Sequence, residues 1–168
     1  MTKAIVDRPP SKALRFGLRL PIWLYRLRLG WLLGNRFLML THTGRTSGKP
    51  RETVIEVVRH DKETDAYYVV SGWAEKSSWY QNIRKTPEVT IHVGGRKFQA
   101  RAEFIPFTQA EEIMEAYAHE NPIAFRELTS LFLGKRMESA QDSARTIAEK
   151  MPMVAFHPSK IVSSEITR

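Results

Sequence analysis

The most regular pattern in the chain is an alternation of apolar and polar residues on either side of a glycine pair. Residues 89–93 alternate, Gly94 and Gly95 follow, and residues 97–104 alternate in return. A period of two places the apolar residues on one face of a strand, and two consecutive glycines favour a tight turn. We therefore predict a β-hairpin with one buried face, and His92 falls on its polar, solvated side.

Other apolar runs are rich in β-branched and aromatic residues and predict further strands. They cover Phe37–Thr43, residues 53–60, residues 66–71 and residues 153–156. The polar run at residues 61–65 predicts a turn between the second and third of these strands.

Helical spacing of apolar residues marks the remaining segments. Ser77 stands where it could cap a short helix, Ser78–Lys85, and Pro87 prevents that helix from continuing. Thr108 followed by Glu111 has the form of a capping box and precedes an apolar stripe. The stripe consists of Ile113, Met114 and Tyr117. Two further helices are predicted over Pro122–Leu133 and over residues 138–151.

The segment at residues 12–33 combines tryptophan and leucine with arginine. It predicts two short helices, with Pro21 in the first turn of the second. The arginines inside the apolar run exclude a signal peptide, and the run is too short and too charged to span a bilayer. Two alternatives remain: this helix covers the open end of a barrel, or residues 12–34 lie peripherally on the inner face of a membrane.

The order of these elements predicts the fold class. Short antiparallel strands with helices inserted at their ends are typical of an α+β domain built on a small barrel. The length suits one core, so we predict a flexible arm at residues 1–11 and a single domain over residues 12–168.

Composition narrows the function classes. The chain has no cysteine, which excludes disulfides, thiolate metal sites and thiol nucleophiles and suits a cytoplasmic location. Its five histidines are scattered without metal-ligand spacing, so we expect no metal site. The net charge is +8, and residues 1–51 carry eleven Lys and Arg against the single acid Asp7. Such asymmetry indicates an anionic partner for the N-terminal third.

The loop at residues 41–51 is the strongest candidate for anion binding. Its two glycines, Gly44 and Gly48, allow main-chain amides to converge, and its side chains add hydroxyl and cationic donors. These are Arg45, Thr46, Ser47, Lys49 and Arg51. The loop fails as a nucleotide-binding P-loop, because its glycines are too close and Pro50 stands where Ser or Thr should bind magnesium. An ordinary structural turn is the alternative.

A second candidate segment spans residues 71–83, where a strand end leads through a polar loop into a helix N-terminus. Such termini attract anions and electron-rich carbonyl groups. Trp73 and Trp79 could form the walls of a slot for a flat ring, and Lys76 could contact the oxygens of that ring. The alternative is that both tryptophans are core or lid residues.

The two segments together resemble the deazaflavin-dependent nitroreductase family of flavin-reductase-like split β-barrels. The likeness covers residues 20–158 and rests on the order of four motifs. They are Thr43-Gly44-Arg45-x-Ser47-Gly48-Lys49-Pro50-Arg51, Ser77-x-Trp79-Tyr80-x-Asn82, Pro87-Glu88-Val89 and Val93-Gly94-Gly95.

The resemblance implies a split β-barrel of the FMN-binding type with N-terminal and C-terminal helices, and the coenzyme F-420, an 8-hydroxy-5-deazaflavin with a phosphodiester and an oligoglutamate tail. It implies hydride transfer from the reduced coenzyme to a quinone, nitro compound or activated enone. The implied phosphate and tail site comprises Arg45, Thr46, Ser47, Gly48, Lys49 and Arg51, and the implied ring site comprises Ser71, Gly72, Lys76, Trp79 and Asn82. Thr46 replaces a basic residue common in the family, which implies a weaker grip on the tail.

Several alternatives stay open at the level of the sequence. FMN could replace F-420 on the same fold, and the chain could be a non-enzymatic lipid- or membrane-associated binding protein. Tyr80, Tyr117 or a tail residue could supply the proton, so no catalytic residue is assigned. We expect a small-molecule electron acceptor, no nucleic-acid partner because no recognition motif is present, and a monomer or homodimer.

Overall fold

A computed structural model describes residues 34–133 and 139–159 of the 168-residue chain. The predicted arm at residues 1–11 and the predicted helices over residues 12–33 lie outside the described residues. Residues 134–138 and 160–168 lie outside them as well.

The described residues form six strands: β1 Phe37–Thr43, β2 Pro50–Asp61, β3 Ala66–Val70, β4 Glu88–Val93, β5 Arg96–Phe104 and β6 Met153–Pro158. These antiparallel strands form a closed barrel in the order β1-β2-β3-β6-β5-β4, and β4 pairs with β1 to complete it. The strand β2 begins three residues earlier than predicted, because Pro50 pairs with Thr43 in the β1–β2 ladder. The predicted strands are otherwise confirmed to within one or two residues.

The predicted hairpin is formed by β4 and β5. Gly94 and Gly95 both have positive φ, +53° and +82°, which glycine adopts at no steric cost. Alternate residues of β4 are buried, as the pattern predicted. His92 is half-buried rather than solvated, and burial lowers its pKa.

The described part of the chain contains four α-helices. α1 Ser78–Lys85 lies between β3 and β4, and α2 Phe107–Glu120, α3 Pro122–Leu133 and α4 Ala140–Lys150 lie between β5 and β6. Trp79, Tyr80 and Ile83 of α1 pack with the apolar side chains that fill the barrel, including Leu40 and Ile91. Because one short helix inserts its apolar face among inward-facing strand residues, α1 closes one end of the barrel.

The other three helices cover the outer face of the sheet at β3 and β6. The predicted stripe of α2 is buried, and Met114 packs in one cluster with Tyr68, Val70 and Met153. The barrel therefore has two cores, one inside the strands and one between the strands and helices α2–α4. This arrangement confirms an α+β domain built on a small barrel.

Two capping predictions are wrong in detail. α2 begins at Phe107 after Pro106, so Thr108 lies inside the first turn and caps nothing. The fixed φ of Pro106 and its extended ψ suit the residue before a helix, which explains the earlier start. Ser77 does precede α1, but its hydroxyl contacts Ser71 rather than the helix amides.

Candidate functional site

The basic loop connects the end of β1 to the start of β2 at the barrel end that α1 closes. Two main-chain bonds shape it: Gly44 N donates to Lys49 O at 2.8 Å, and Gly48 N donates to Gly44 O at 2.8 Å. Gly48 has φ of +65°. A Cβ on Gly44 would lie 2.6 Å from Ser47 Oγ, so the loop packs against itself at that glycine.

Donors crowd the outside of this loop. Arg45, Lys49 and Arg51 are exposed, and Ser47 Oγ lies 3.3 Å from Lys49 N, whose hydrogen bond it accepts. The described residues offer no acceptor to the main-chain amides of Thr46 and Ser47. Amides without a partner beside exposed cations form a site suited to an anion.

The loop is fixed to α1 through Arg45. Asn82 Oδ1 accepts from Arg45 N at 3.0 Å and from Arg45 Nη1 at 3.1 Å. Lys85 Nζ donates to Arg45 O at 2.8 Å. Both main-chain polar groups of Arg45 are therefore held by the same helix.

His42 lies directly under this attachment and was not predicted as part of the site. It is 5% exposed, and its Nδ1 lies 3.0 Å from Asn82 Nδ2. Burial, with a smaller contribution from the Arg51 charge, lowers the pKa of His42 to about 4. A signal was available in the sequence: His42 continues the inward-facing series of Leu38 and Leu40 at a spacing of two.

The second segment forms a 3-10 turn, Ala74–Lys76, before α1. The buried Ser71 Oγ lies 2.7 Å from Ala74 O and 2.7 Å from Ser77 Oγ. These contacts fix the turn against the start of α1. Lys76, the last residue of the turn, is exposed.

Gly72 lies beneath helix α3. A Cβ on it would come within 2.3 Å of Phe132 Cε1, so this position excludes any larger residue unless the ring moves. Trp73 contacts the same ring edge to face at 5.5 Å. The indole Nε1 of Trp73 is buried without a hydrogen-bond partner among the described residues.

The two tryptophans do not face one another across a slot. Trp79 is 9% exposed and packs inside the barrel against Tyr80, whereas Trp73 packs against the outer cluster with Phe132. This separation agrees with the alternative in which both are core or lid residues. A nearby groove of about 380 Å³ shares only Ala74 and Glu75 with the second segment.

The two tyrosines considered as proton donors are both held in their protonated form. Burial raises the pKa of Tyr80 and of Tyr117. The hydroxyl of Tyr117 donates to Glu56 Oε1 at 2.9 Å on the outer face of the barrel, and Arg36 bonds the same carboxylate. The proton of Tyr117 is thus directed at Glu56.

Two further features concern the described residues alone. They contain no cluster of His, Cys, Asp or Glu that could hold a metal ion. None of their helices has the length and apolar character needed to cross a membrane.

The fold and the loop together define an α+β barrel protein with a loop of exposed cations at one end of the barrel. Residues 19–129 match the family described as F420H(2)-dependent quinone reductase, and the chain belongs to this family. Membership confirms the resemblance drawn from the motifs, and the description of the family names a quinone reductase that depends on F420H(2).

Individual relatives agree with this assignment. An F420H(2)-dependent quinone reductase of Mycobacterium tuberculosis is 33% identical over 69 residues, which cover 39% of this chain and 44% of that protein. The match thus spans less than half the length of this curated relative.

Solved structures support the fold. An F420-H2 dependent reductase is 19% identical with a TM-score of 0.50, covering 74% of this chain and 96% of that one. A pyridoxamine 5'-phosphate oxidase-related, FMN binding protein from Nostoc punctiforme is 14% identical with a TM-score of 0.51, covering 91% and 82%. The predicted split β-barrel is thereby confirmed.

The residues present fit the anionic end of F-420. A phosphodiester and carboxylates accept hydrogen bonds. The loop offers three exposed cations, two amides without acceptors among the described residues, and open space beside Gly48. Six of the predicted residues meet in this loop, and Asn82 joins them through Arg45. Ser71, Gly72 and Lys76 lie together at the other end of α1.

Proposed function

We propose that this protein binds reduced coenzyme F-420 and uses it to reduce a small, flat electrophile. A quinone is the first acceptor class, in keeping with the family description. Nitro compounds and activated enones are further classes that the motif resemblance supports. The reaction is proposed for this chain in its own right, because the match covers 44% of the curated relative.

The single observation that carries the proposal is the loop at the closed end of the barrel. Arg45, Lys49 and Arg51 are exposed around the amides of Thr46 and Ser47. We propose that these five residues and Gly48 bind the phosphate and the tail. An anion there would gain charge-assisted hydrogen bonds without any rearrangement of the main chain.

The deazaflavin ring is assigned to the neighbouring turn. Lys76 is the exposed member of the ring set and offers a cation to the ring oxygens. Ser71, Gly72, Trp79 and Asn82 are all buried, so their contribution is the shape and rigidity of the surface beside Lys76.

The chemical demand on the chain is modest. When bound, the reduced coenzyme supplies the hydride, and the protein supplies binding and orientation. Helix α1 serves both needs, because Asn82 and Lys85 hold the loop while Ser77 at its start contacts the turn through Ser71. Tail and ring would thus be bound by two surfaces attached to one rigid element.

A fluorescence titration with F-420, and separately with FMN, tests the proposal. We expect saturable binding of F-420 and a purified protein without flavin absorbance. The double variant Lys49→Ala/Arg51→Ala should bind F-420 at least tenfold more weakly, since each charge-assisted bond contributes about 1.5–3 kcal/mol. A quinone, a nitroarene and an enone are then compared as acceptors.

The matched control is Lys62→Ala/Lys97→Ala, which removes two exposed charges at the opposite end of the barrel. It should bind F-420 as the wild type does. An unchanged dissociation constant in the Lys49/Arg51 variant would refute the loop assignment. Preferential binding of FMN would show that FMN, and not F-420, is the coenzyme of this fold.

Three attributes stay predictions. The cytoplasmic location, the state of monomer or homodimer, and peripheral membrane contact through residues 12–34 are not tested by the described residues. Flotation of the full chain with anionic vesicles tests the membrane contact, and size-exclusion chromatography at several concentrations tests the oligomeric state. Binding to vesicles without binding of F-420 would favour the lipid-associated alternative.

A further inference from the structure

We propose that His42 is a positioning residue for the anion-binding loop: its Nδ1 holds the Asn82 amide in the orientation that lets Asn82 Oδ1 accept from Arg45. The effect of His42 on F-420 binding rests on the proposed function. The effect of His42 on the orientation of the loop does not, because the contacts that set it lie within the chain itself.

The argument starts with the two ends of the Asn82 amide. Its Oδ1 accepts from Arg45 N at 3.0 Å and from Arg45 Nη1 at 3.1 Å, and its Nδ2 lies 3.0 Å from His42 Nδ1. If the amide turned over, Nδ2 would oppose two donors of Arg45, and Oδ1 would face the imidazole. Asn82 is 4% exposed, so water could not compensate for the lost bonds.

The second step is the state of the imidazole. Nδ1 can accept a hydrogen bond from Asn82 Nδ2 only when it carries no proton itself, which requires neutral His42 with its hydrogen on Nε2. Burial and the facing Arg51 keep the pKa of His42 at about 4, so the imidazole is neutral at neutral pH, and the contact of Nδ1 with Asn82 Nδ2 favours the tautomer with hydrogen on Nε2. His42 therefore acts as a fixed acceptor.

The third step is the place of Arg45 in the loop. Arg45 comes directly before Thr46 and Ser47, whose amides have no acceptor within the described part of the chain. With Arg45 N bonded to Asn82 and Arg45 O bonded to Lys85, the direction of those amides is set before a ligand arrives. Preorganised donors bind more tightly than donors that must first be ordered.

Substitution at His42 separates this role from simple packing. His42→Phe keeps a buried ring without an acceptor, and His42→Asn offers an amide oxygen near the position of Nδ1. In His42→Phe we expect hydrogen exchange of the Arg45 amide to accelerate about tenfold and the dissociation constant for F-420 to rise about tenfold, as for one or two lost hydrogen bonds. The kcat at saturating coenzyme should stay near the wild-type value, and His42→Asn should recover most of both losses.

His60→Phe is the control. His60 lies at the opposite end of the barrel, bonded to Asp65 at 2.8 Å, and its loss should leave Arg45 exchange and F-420 affinity unchanged. A folded His42→Phe variant with wild-type Arg45 exchange would overturn the proposal, and so would a His42→Asn variant that recovers nothing.

Nitrogen chemical shifts of His42 in the wild type provide a measurement that does not depend on a variant folding. We expect an unprotonated Nδ1 and a protonated Nε2 between pH 6 and 8, and the opposite tautomer would refute the role. If wild-type protein fails to bind F-420, the proposed function fails, while the exchange and tautomer measurements still decide the role of His42.

Discussion

The two ends of the barrel each hold a histidine in a polar cluster, but they differ in whether their hydrogen-bond donors have acceptors within the described structure. At the loop end, formed by residues 43–51 and α1, His42 bonds an amide and the amides of Thr46 and Ser47 are left without acceptors in the described structure. At the turn end, formed by residues 61–66 and 94–96, the carboxylate of Asp65 accepts hydrogen bonds from His60 Nε2 and from both terminal nitrogens of Arg96.

The difference distinguishes a surface that is available for binding from one that stabilises the fold. At the turn end the charged side chains pair with one another, and these pairs join the β2–β3 turn to the β4–β5 hairpin. At the loop end, Asn82 and Lys85 bond the main chain of Arg45, and the side chains of the loop cations are exposed. Charge that is already paired inside the fold gains little from a ligand, so the loop end is where an anion gains most.

Acid should distinguish the two ends most strongly. The folded pKa of His42 is about 4, below its ordinary value of 6.5, so the unfolded chain binds the extra proton and stability falls as pH falls from about 6.5 to 4. At pH 5 the loss from His42 is about 2 kcal/mol relative to pH 7. Urea unfolding at the two pH values measures it.

The control for this prediction is His42→Asn, which cannot titrate in this range and should lose correspondingly less stability between pH 7 and 5. At the turn end, hydrogen bonds from Arg96 and His60 lower the pKa of Asp65 below 3.8. Its contribution to stability is therefore lost only below about pH 4. An equal pH dependence in wild type and His42→Asn would contradict the assignment.

Alanine at two glycines gives the next largest contrast. In Gly44→Ala the added Cβ would lie 2.6 Å from the present position of Ser47 Oγ, so that hydroxyl must move. Lys49 N would then lose the acceptor of its hydrogen bond. We expect F-420 affinity to fall about threefold to tenfold, as for one lost hydrogen bond, measured by fluorescence titration.

Gly95→Ala is the matched change at the turn end. Nothing lies within 4 Å of its Cβ, but φ of +82° strains any side chain. We expect about 1 kcal/mol of lost stability and unchanged affinity. Reduced F-420 affinity in Gly95→Ala would show that the two ends are coupled, and it would contradict their independence.

Removal of one charge at the turn end should have the smallest effect. In Asp65→Asn the ion pair with Arg96 is lost, while asparagine tolerates the positive φ of 57° at this position. Because both partners are partly exposed, we expect a loss of about 0.5 kcal/mol in thermal or urea unfolding. F-420 affinity should not change, and a fall of tenfold would contradict the division between the ends.

Local signals made much of the fold predictable. Alternation around Gly94 and Gly95 predicted the hairpin. The bounds of α1 and the start of α3 were predicted to the residue, because Pro87 follows α1 closely and Pro122 begins α3. Thr108 was misassigned because a capping box can be imitated inside a first turn, and only the conformation of Pro106 decides where the helix begins.

The site was predictable where composition alone specifies chemistry. Glycines, hydroxyls and cations at residues 44–51 identified the loop, but its attachment joins Arg45 to Asn82 across 37 residues. That contact depends on α1 entering the barrel end, which no local pattern encodes. The role of His42 was missed for the same reason, although its place in the inward series of β1 was visible.

Closure of the barrel has a consequence for assembly. Each of the six described strands has a neighbour on both sides over part of its length, so a second copy cannot pair along a whole strand without first opening a ladder. Residues Pro50–Glu56 of β2 pair with β1 alone among the described strands, because the ladder to β3 begins at Val57. Association of this part of the chain by strand pairing is therefore limited to such short stretches, and substitutions there would affect it most directly.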